Sequence, residues 1–151
     1  MEILRLDGLC KQYPAFRLDN VSFSMEAGTI MGLIGRNGAG KTTTLKSVVG
    51  IQQFDSGRIM IGGHSIQDEP IACKKMLAYI PDNPDLYEFM TGIQYLNFIA
   101  DIFGVEESAR QERIRKYADL FELTGDLAQP VAAYSHGMKQ KLAIISAWLH
   151  E

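Results

Sequence analysis

The sequence has few cysteines, and we expect it to begin without a leader peptide. Cys10 and Cys73 are the only two cysteines in 151 residues, and they do not have the close spacing of metal ligands. The first residues, "MEILRLDGL", alternate like a strand and lack the basic and then apolar segment of a signal peptide. We therefore expect two free thiols in a reducing cytoplasm.

The sequence also lacks an excess of positive charge and a long apolar run. The chain has 15 Lys and Arg against 18 Asp and Glu, a net charge of −3, which argues against a nucleic-acid partner. The longest tempting apolar piece, "LAIISAWL" at 142–149, is far shorter than the roughly 18 to 20 residues of a membrane span. We expect a soluble chain that forms one domain or a large part of one.

Glycine, in contrast, is frequent in one short stretch, "LIGRNGAGKTTTL" at 33–45, where Gly35, Gly38 and Gly40 lie within six positions. Glycine loses the most backbone freedom on folding, so such a cluster indicates a tight turn or a close approach to a ligand. The preceding "TIMGLI" at 29–34 predicts a short buried strand. The following "KTTTLKSVVG" at 41–50 predicts a helix that Gly50 ends.

This order of strand, glycine-rich loop and helix matches the phosphate-binding pattern G-x-x-x-x-G-K-[ST], from Gly35 to Thr42. Backbone N–H groups of such a loop form a nest for anions, and the helix N-terminus adds more donors. Lys41 would contact the β- and γ-phosphates, and the Thr42 hydroxyl would bind Mg²⁺. The loop predicts a site for a nucleoside triphosphate; a glycine-rich turn with a solvated lysine is the alternative.

A second motif, "YSHGMKQKLAIISAWL" at 134–149, places Ser135 and Gly137 just before a helix that we expect to begin near Met138. A serine at a helix N-terminus is either a plain cap or part of another anion site. The motif alone leaves both interpretations open.

Together the two motifs resemble the ATP-binding subunit of ABC transporters, and the resemblance runs along the whole chain. The segment "KQYPAFRLDNVSFSMEAGTIMGLIGRNGAGKTT" is similar to the family's start through its Walker A loop, and "YSHGMKQKLAI" is similar to its signature motif. The resemblance implies that Tyr13 stacks on adenine, although it could also be an ordinary tyrosine at a strand edge. The Walker A residues implied to bind ATP and Mg²⁺ are Gly35, Asn37, Gly38, Ala39, Gly40, Lys41, Thr42 and Thr43.

The signature motif departs from the family's usual Leu-Ser-Gly-Gly-Gln. It reads Tyr134-Ser135-His136-Gly137-Met138, a variant that resembles ATPases paired with ABC-2-type export permeases. The resemblance implies that Ser135, His136, Gly137 and Met138 contact ATP held by a second subunit; we expect His136 to add bulk or a hydrogen bond there rather than act as a base.

Asp82 stands where the family usually has a glutamine that senses Mg²⁺ and the attacking water. With Lys41 it is a candidate catalytic residue, and it is a possible metal ligand through water. Its side chain is shorter than that of glutamine and carries a negative charge.

The resemblance predicts an α/β fold with a P-loop NTPase core, an N-terminal antiparallel β part and an α-helical subdomain. We expect strands and turns over 1–34 and 57–80, with a hairpin at "SGRIMIGGHSI", and helices over 91–103, 107–123 and 139–150. The domain division is about 1–80 for the core, about 81–138 for the helical part and 139–151 for a returning helix. The family's Walker B strand is not found before Glu151, so we interpret the chain as the N-terminal part of one nucleotide-binding domain, incomplete at its C-terminus.

The partners implied are membrane permease subunits and a second nucleotide-binding subunit in a head-to-tail dimer, at the cytoplasmic face of the cell membrane. Leu86, Tyr87 and Phe89 are either the permease contact or core residues of the helical part. The function predicted is ATP hydrolysis that drives transport, in the direction of export. A soluble ABC ATPase that transports nothing and a piece that binds ATP without turnover are the alternatives.

Overall fold

The computed structural model describes residues 1–150, and the contacts divide them into two compact units. The first unit comprises Met1–Leu77, and the second begins at Ala78. Each unit has its own apolar core.

The first unit is built on a four-stranded antiparallel sheet with strand order β2-β1-β3-β4. The strands are β1 (Glu2–Tyr13), β2 (Phe16–Glu26), β3 (Ser56–Ile61) and β4 (His64–Ser65). Leu6 pairs with Phe23 on one side and with Ile59 on the other, which places the alternating apolar residues of three strands together. The fully or nearly buried residues of this core are Leu6, Leu9, Leu18, Val48, Ile59, Ile61, Ile66 and Cys73.

The hairpin predicted for "SGRIMIGGHSI" is confirmed, with β3 and β4 joined through Gly62 and Gly63, which both have positive φ. Helix α1 (Lys41–Val48) is also confirmed, and Gly50 follows it at φ 71°. The sequence interpretation missed helix α2 (Pro70–Lys75), which lies in a region expected to hold only strands and turns. Pro70 occupies its first turn, where proline fits a helix because its missing N–H would have no partner there.

The expected strand over 29–34 is wrong for the described structure. Residues 29–36 form no strand, and their apolar side chains are exposed, with Ile30 at 102% and Ile34 at 95% of full exposure. A strand needs a neighbour for its backbone hydrogen bonds, and within residues 1–150 no strand pairs with this segment. The sequence pattern therefore identified an apolar segment correctly, but the burial predicted for this segment is wrong.

The second unit is helical, with α3 (Gly92–Ile102), α4 (Glu107–Leu120) and α5 (His136–Trp148), and two short 3-10 helices over Thr124–Asp126 and Val131–Ala133. Its core contains Leu96, Ile114, Val131, Leu142 and Ile145. The three predicted helices are confirmed, although α5 begins at His136, earlier than expected, and therefore includes Gly137.

Helix α3 begins at a capping box. The Thr91 hydroxyl accepts a hydrogen bond from the Gln94 backbone N–H at 3.3 Å, and the Gln94 side-chain oxygen accepts one from the Thr91 N–H at 2.9 Å. No helix among residues 1–150 has both the length and the apolar character needed to cross a membrane.

Candidate functional site

The glycine-rich loop of the first unit turns at two glycines with positive φ, Gly38 at 80° and Gly40 at 97°. The Ala39 N–H donates to the Arg36 carbonyl at 3.1 Å and closes the turn. The residues from Gly35 to Ala39 are exposed, so the loop presents its backbone to solvent.

Lys41 closes the loop from the other side. Its ammonium Nζ donates to the carbonyl oxygens of Gly35 at 2.6 Å and Arg36 at 2.8 Å. Both bonds are solvent-exposed, so a phosphate could replace them at little cost. The Lys41 ammonium, which the sequence predicts to bind phosphate, thus lies against the loop's own carbonyl oxygens.

Gly40 is required by close packing as well as by φ. A Cβ placed on Gly40 would lie 2.7 Å from Leu18 Cδ1 and 2.8 Å from Phe16 Cζ. Leu18 and Phe16 belong to β2, so the start of β2 supports the loop directly. Sequence reasoning missed this role of Phe16; the only available signal was an apolar residue straight after the "PA" turn.

Helix α1 begins without a side-chain cap, because Gly40 occupies the capping position. Its first-turn N–H groups therefore depend on solvent or a ligand, and the dipole of the helix favours an anion there. The Thr42 side chain is exposed at this end, whereas Thr44 is buried and its hydroxyl donates to the Gly40 carbonyl at 2.9 Å. Thr42 thus offers a free oxygen of the kind that Mg²⁺ accepts, and Thr43 is half-buried behind it.

Tyr13 ends β1, at the hairpin whose second strand supports the loop. Its ring is half-buried and stacks on Phe16, with ring centroids 6.1 Å apart and an interplanar angle of 29°. The ammonium of Lys11 lies 5.7 Å from the centre of the Tyr13 ring. The structure thus places Tyr13 and the loop against one side chain, Phe16.

The signature residues lie at the start of α5 in the second unit. The Ser135 hydroxyl accepts a hydrogen bond from the Met138 N–H at 3.2 Å and caps the helix. Ser135, His136 and Gly137 are exposed, while Met138 is partly buried against the core. The cap interpretation is confirmed, and the capping serine is exposed to solvent.

Asp82 is exposed, and its backbone carbonyl accepts a hydrogen bond from Gln140 Nε2 at 3.2 Å. Thr42 and Asp82 belong to different units, and residues 1–150 contain no group of three or more His, Cys, Asp or Glu that could hold a metal ion. Thr42 therefore fits Mg²⁺ only as one ligand alongside the phosphates of a bound nucleotide.

The three residues proposed as a contact surface separate in the structure. Leu86 is buried in the core of the second unit, whereas Tyr87 is 48% and Phe89 is 80% exposed. The Tyr87 ring contacts those of Phe89, Tyr95 and Phe98 at centroid distances of 5.8, 6.2 and 5.5 Å. Two residues between Asp82 and α3 thus form an exposed aromatic pair, and the third is core.

Cys10 and Cys73 are both free thiols, as expected. Burial raises the pKa of the Cys73 thiol, and Glu69 raises it further. Such a thiol stays protonated and unreactive, so it belongs to the core and not to a site.

Known proteins are similar to this chain over most of its length. The family model described as "ABC transporter" matches residues 18–151. The ABC-type transporter ATP-binding protein EcsA of Bacillus subtilis (strain 168) is 36% identical over 134 residues, which cover 89% of this chain and 54% of EcsA. The linearmycin resistance ATP-binding protein LnrL of the same organism is 31% identical over 131 residues, 87% of this chain and 42% of LnrL.

A solved structure entitled "Structure of ATP binding subunit of ABC transporter" superposes with a TM-score of 0.92 at 36% identity, covering 98% of this chain and 62% of that one. The chain spans about half the length of the curated relatives it matches. The chain therefore belongs to the ABC transporter family, and its fold is that of the family's ATPase subunits, a P-loop NTPase fold.

Proposed function

We propose that this chain binds ATP with Mg²⁺ and that the protein containing it couples ATP hydrolysis to transport through permease subunits. The observation that carries the proposal is the loop from Gly35 to Gly40, with two left-handed glycines, an uncapped helix behind it and the Lys41 ammonium on its carbonyls. An exposed loop of backbone N–H groups beside a lysine favours a polyphosphate over any neutral ligand.

Each residue of the loop has a role in this proposal. Lys41 exchanges its two carbonyl partners for the β- and γ-phosphates, and the Thr42 hydroxyl holds Mg²⁺. Tyr13 stacks on the base. Backbone N–H groups of Asn37, Gly38, Gly40 and Thr43 surround the phosphates, while the Ala39 N–H closes the turn that presents them. The chain thus positions the nucleotide and neutralises its charge, which phosphoryl transfer to water requires.

The exposed start of α5 is proposed to act on the nucleotide of a second subunit. Ser135 and Gly137 would face its γ-phosphate, with His136 and Met138 beside them, in a head-to-tail dimer. The proposal is supported by the exposure of Ser135, His136 and Gly137 at a helix N-terminus, where the dipole favours an anion. Asp82 stays a proposal as a catalytic residue or water-mediated metal ligand.

The permease contact is proposed at Tyr87 and Phe89. These exposed rings are anchors of the type that dominate protein interfaces, and Leu86 fixes the segment to the core. This contact would hold the subunit at the cytoplasmic face of the membrane. Export as the direction rests on the "YSHGM" motif, and the name of LnrL, which includes linearmycin resistance, agrees with it.

Binding without turnover is a second candidate for residues 1–151 by themselves. It is favoured by the lack of a group of metal-ligating side chains anywhere in residues 1–150. We expect the isolated chain to bind MgATP and to release no phosphate above background.

Titration calorimetry with MgATP tests the site in the unaltered chain, in Lys41→Ala and in Lys46→Ala. Lys46 lies about one and a half turns further along α1, so Lys46→Ala is a control that removes the same charge at a position away from the loop. We expect Lys41→Ala to weaken binding by about tenfold or more, since a charge-assisted hydrogen bond contributes about 1.5–3 kcal/mol. Equal affinity in Lys41→Ala and the unaltered chain would refute the assignment of the loop.

A further inference from the structure

Glu88 comes between Tyr87 and Phe89 in the sequence, and it makes two contacts with one distant part of the chain. Its backbone carbonyl accepts a hydrogen bond from the Ala132 N–H at 3.2 Å. Its carboxylate forms an ion pair with the ammonium of Lys139. Ala132 comes three residues before Ser135, and Lys139 comes directly after Met138. Glu88 therefore holds the chain on both sides of the four signature residues.

The surrounding backbone makes the first of these contacts rigid. The Val131 N–H donates to the Met90 carbonyl at 2.8 Å, and Thr91 and Pro130 form an isolated antiparallel bridge. The Gly92 N–H continues this row with a bond to the Gln129 carbonyl at 3.1 Å. The segment 88–92 and the segment 129–132 are thus paired along their length. This pairing fixes the approach to Ser135 but does not reach α5.

The side-chain contact extends this support to α5. The Lys139 side chain is 23% exposed and the Glu88 side chain is 59% exposed, so this ion pair is screened less than a pair of two fully exposed side chains. The neighbouring Gln140 donates to the Asp82 carbonyl at 3.2 Å, which ties the same turn of α5 to the start of the segment. Two consecutive residues of α5 therefore bind the segment 82–88.

We propose that Glu88 is a positioning residue, which sets the placement of Ser135, His136, Gly137 and Met138 through Lys139 on one side and Ala132 on the other. The inference rests on the proposed function, in which those four residues contact the nucleotide of a second subunit. Glu88 touches no nucleotide itself. Glu88 comes between Tyr87 and Phe89 in the sequence. A partner that covers these two rings would therefore contact the segment that holds the four signature residues in place.

Amide hydrogen exchange of the unaltered chain and of variants, followed residue by residue by NMR, tests the proposal. The reporter is the Met138 N–H, whose partner is the Ser135 hydroxyl. We expect Glu88→Gln, 50 positions away, to speed this exchange by about two- to fivefold, the range for losing an ion pair near the surface. Lys139→Met should have the same effect, and the double variant should add little to either single change.

Three controls separate positioning from general destabilisation. Asp85→Asn removes an exposed acid from the same segment, Lys141→Met makes the same change on the same helix, and Lys139→Arg keeps the charge. We expect exchange of the Met138 N–H to stay near that of the unaltered chain in all three. Unchanged exchange in Glu88→Gln would overturn the proposal, as would an equal acceleration at every amide of the second unit. MgATP binding is measured separately, and its failure in the unaltered chain would contradict the proposed function but not the exchange result.

Discussion

Gly40 shows how one backbone position can serve a site in two ways. Its φ of 97° lies in the left-handed region, and its missing side chain leaves room for Leu18 and Phe16. Gly38 has a similar φ of 80°, but a Cβ placed there would meet no atom within 4 Å. The two glycines therefore separate the cost of φ from the cost of collision.

We expect Gly38→Ala to lower the free energy of unfolding by about 1–2 kcal/mol, the cost of a left-handed residue with a Cβ. Gly40→Ala should cost about 1–3 kcal/mol more, because the buried Leu18 and the Phe16 ring must shift. Urea denaturation of both variants checks this order, and equal losses would contradict the support of the loop by β2.

Tyr95 links the stability of the second unit to pH. Burial raises the pKa of its phenol, and a hydrogen bond with Ser146 lowers it in part, with the net shift upward. In the unfolded chain the Tyr95 phenol ionises near pH 10. In the folded chain its ionisation needs a higher pH. The contribution to stability is therefore full below about pH 10 and is lost as the pH rises through the folded-state value.

Thermal denaturation between pH 8 and about 11 checks this sign. We expect the melting temperature of the unaltered chain to fall at the alkaline end, and Tyr95→Phe to show a smaller fall. Tyr79→Phe, which removes a half-buried phenol elsewhere in the second unit, is the control and should follow the unaltered chain. A steeper alkaline fall in Tyr95→Phe would refute the argument.

Helix α3 depends on its capping box, and this dependence can be measured. Thr91→Ala removes the acceptor for the Gln94 N–H and should lower the free energy of unfolding by about 1 kcal/mol. Thr91→Ser keeps the hydroxyl and should restore most of the loss. Urea denaturation followed by helical circular dichroism is the measurement, and equal stability of Thr91→Ala and the unaltered chain would show that the box contributes nothing.

The elements that sequence predicted best have local causes. The hairpin of β3 and β4 follows from Gly62 and Gly63 between two alternating runs, and α1 follows from the loop before it and Gly50 after it. The helices of the second unit follow from apolar residues at helical spacing, such as Ile114, Tyr117 and Ala118 in α4, all of which are buried.

The elements that sequence did not predict depend on neighbours distant along the chain. Helix α2 is only six residues long, too short for a clear helical period, and its buried residue is Cys73. The segment 29–34 has the composition of a buried strand, but burial needs a paired neighbour that the pattern cannot supply. The contacts of Glu88 with Ala132 and Lys139 link residues about 50 positions apart, which no local pattern encodes.

The candidate site divides in the same way. The loop and Lys41 could be identified from spacing alone because every part of the motif is contiguous. The support of Gly40 by Phe16 and the position of Tyr13 beside that ring depend on the pairing of β1 with β2. The sequence could therefore locate the phosphate contact but not what holds it in place.

The exposed apolar segment determines how the isolated chain should behave in solution. Ile30 and Ile34 are almost fully exposed, on an extended segment whose backbone forms no ladder with any strand of residues 1–150. Such a segment is a template for pairing with another chain. We expect the 151-residue chain to self-associate with rising concentration and to bind an apolar dye.

Light scattering and dye fluorescence test this expectation with Ile30→Lys and Ile34→Lys. Each variant should lower both signals, because an added charge opposes edge-to-edge pairing. Ile71→Lys is the control, since Ile71 is 66% exposed but lies on the short helix α2. Equal reduction by Ile71→Lys would show that general charge, and not this segment, governs association.

One ring, that of Phe16, meets both the Tyr13 ring and the space beside Gly40. If Tyr13 stacks on the base and the loop binds the phosphates, the hairpin fixes the distance between the base site and the phosphate site. A smaller residue at position 16 would then loosen both the Tyr13 ring and the loop at Gly40. The protein would no longer distinguish a nucleotide, which has a base at a fixed distance from its phosphates, from free polyphosphate.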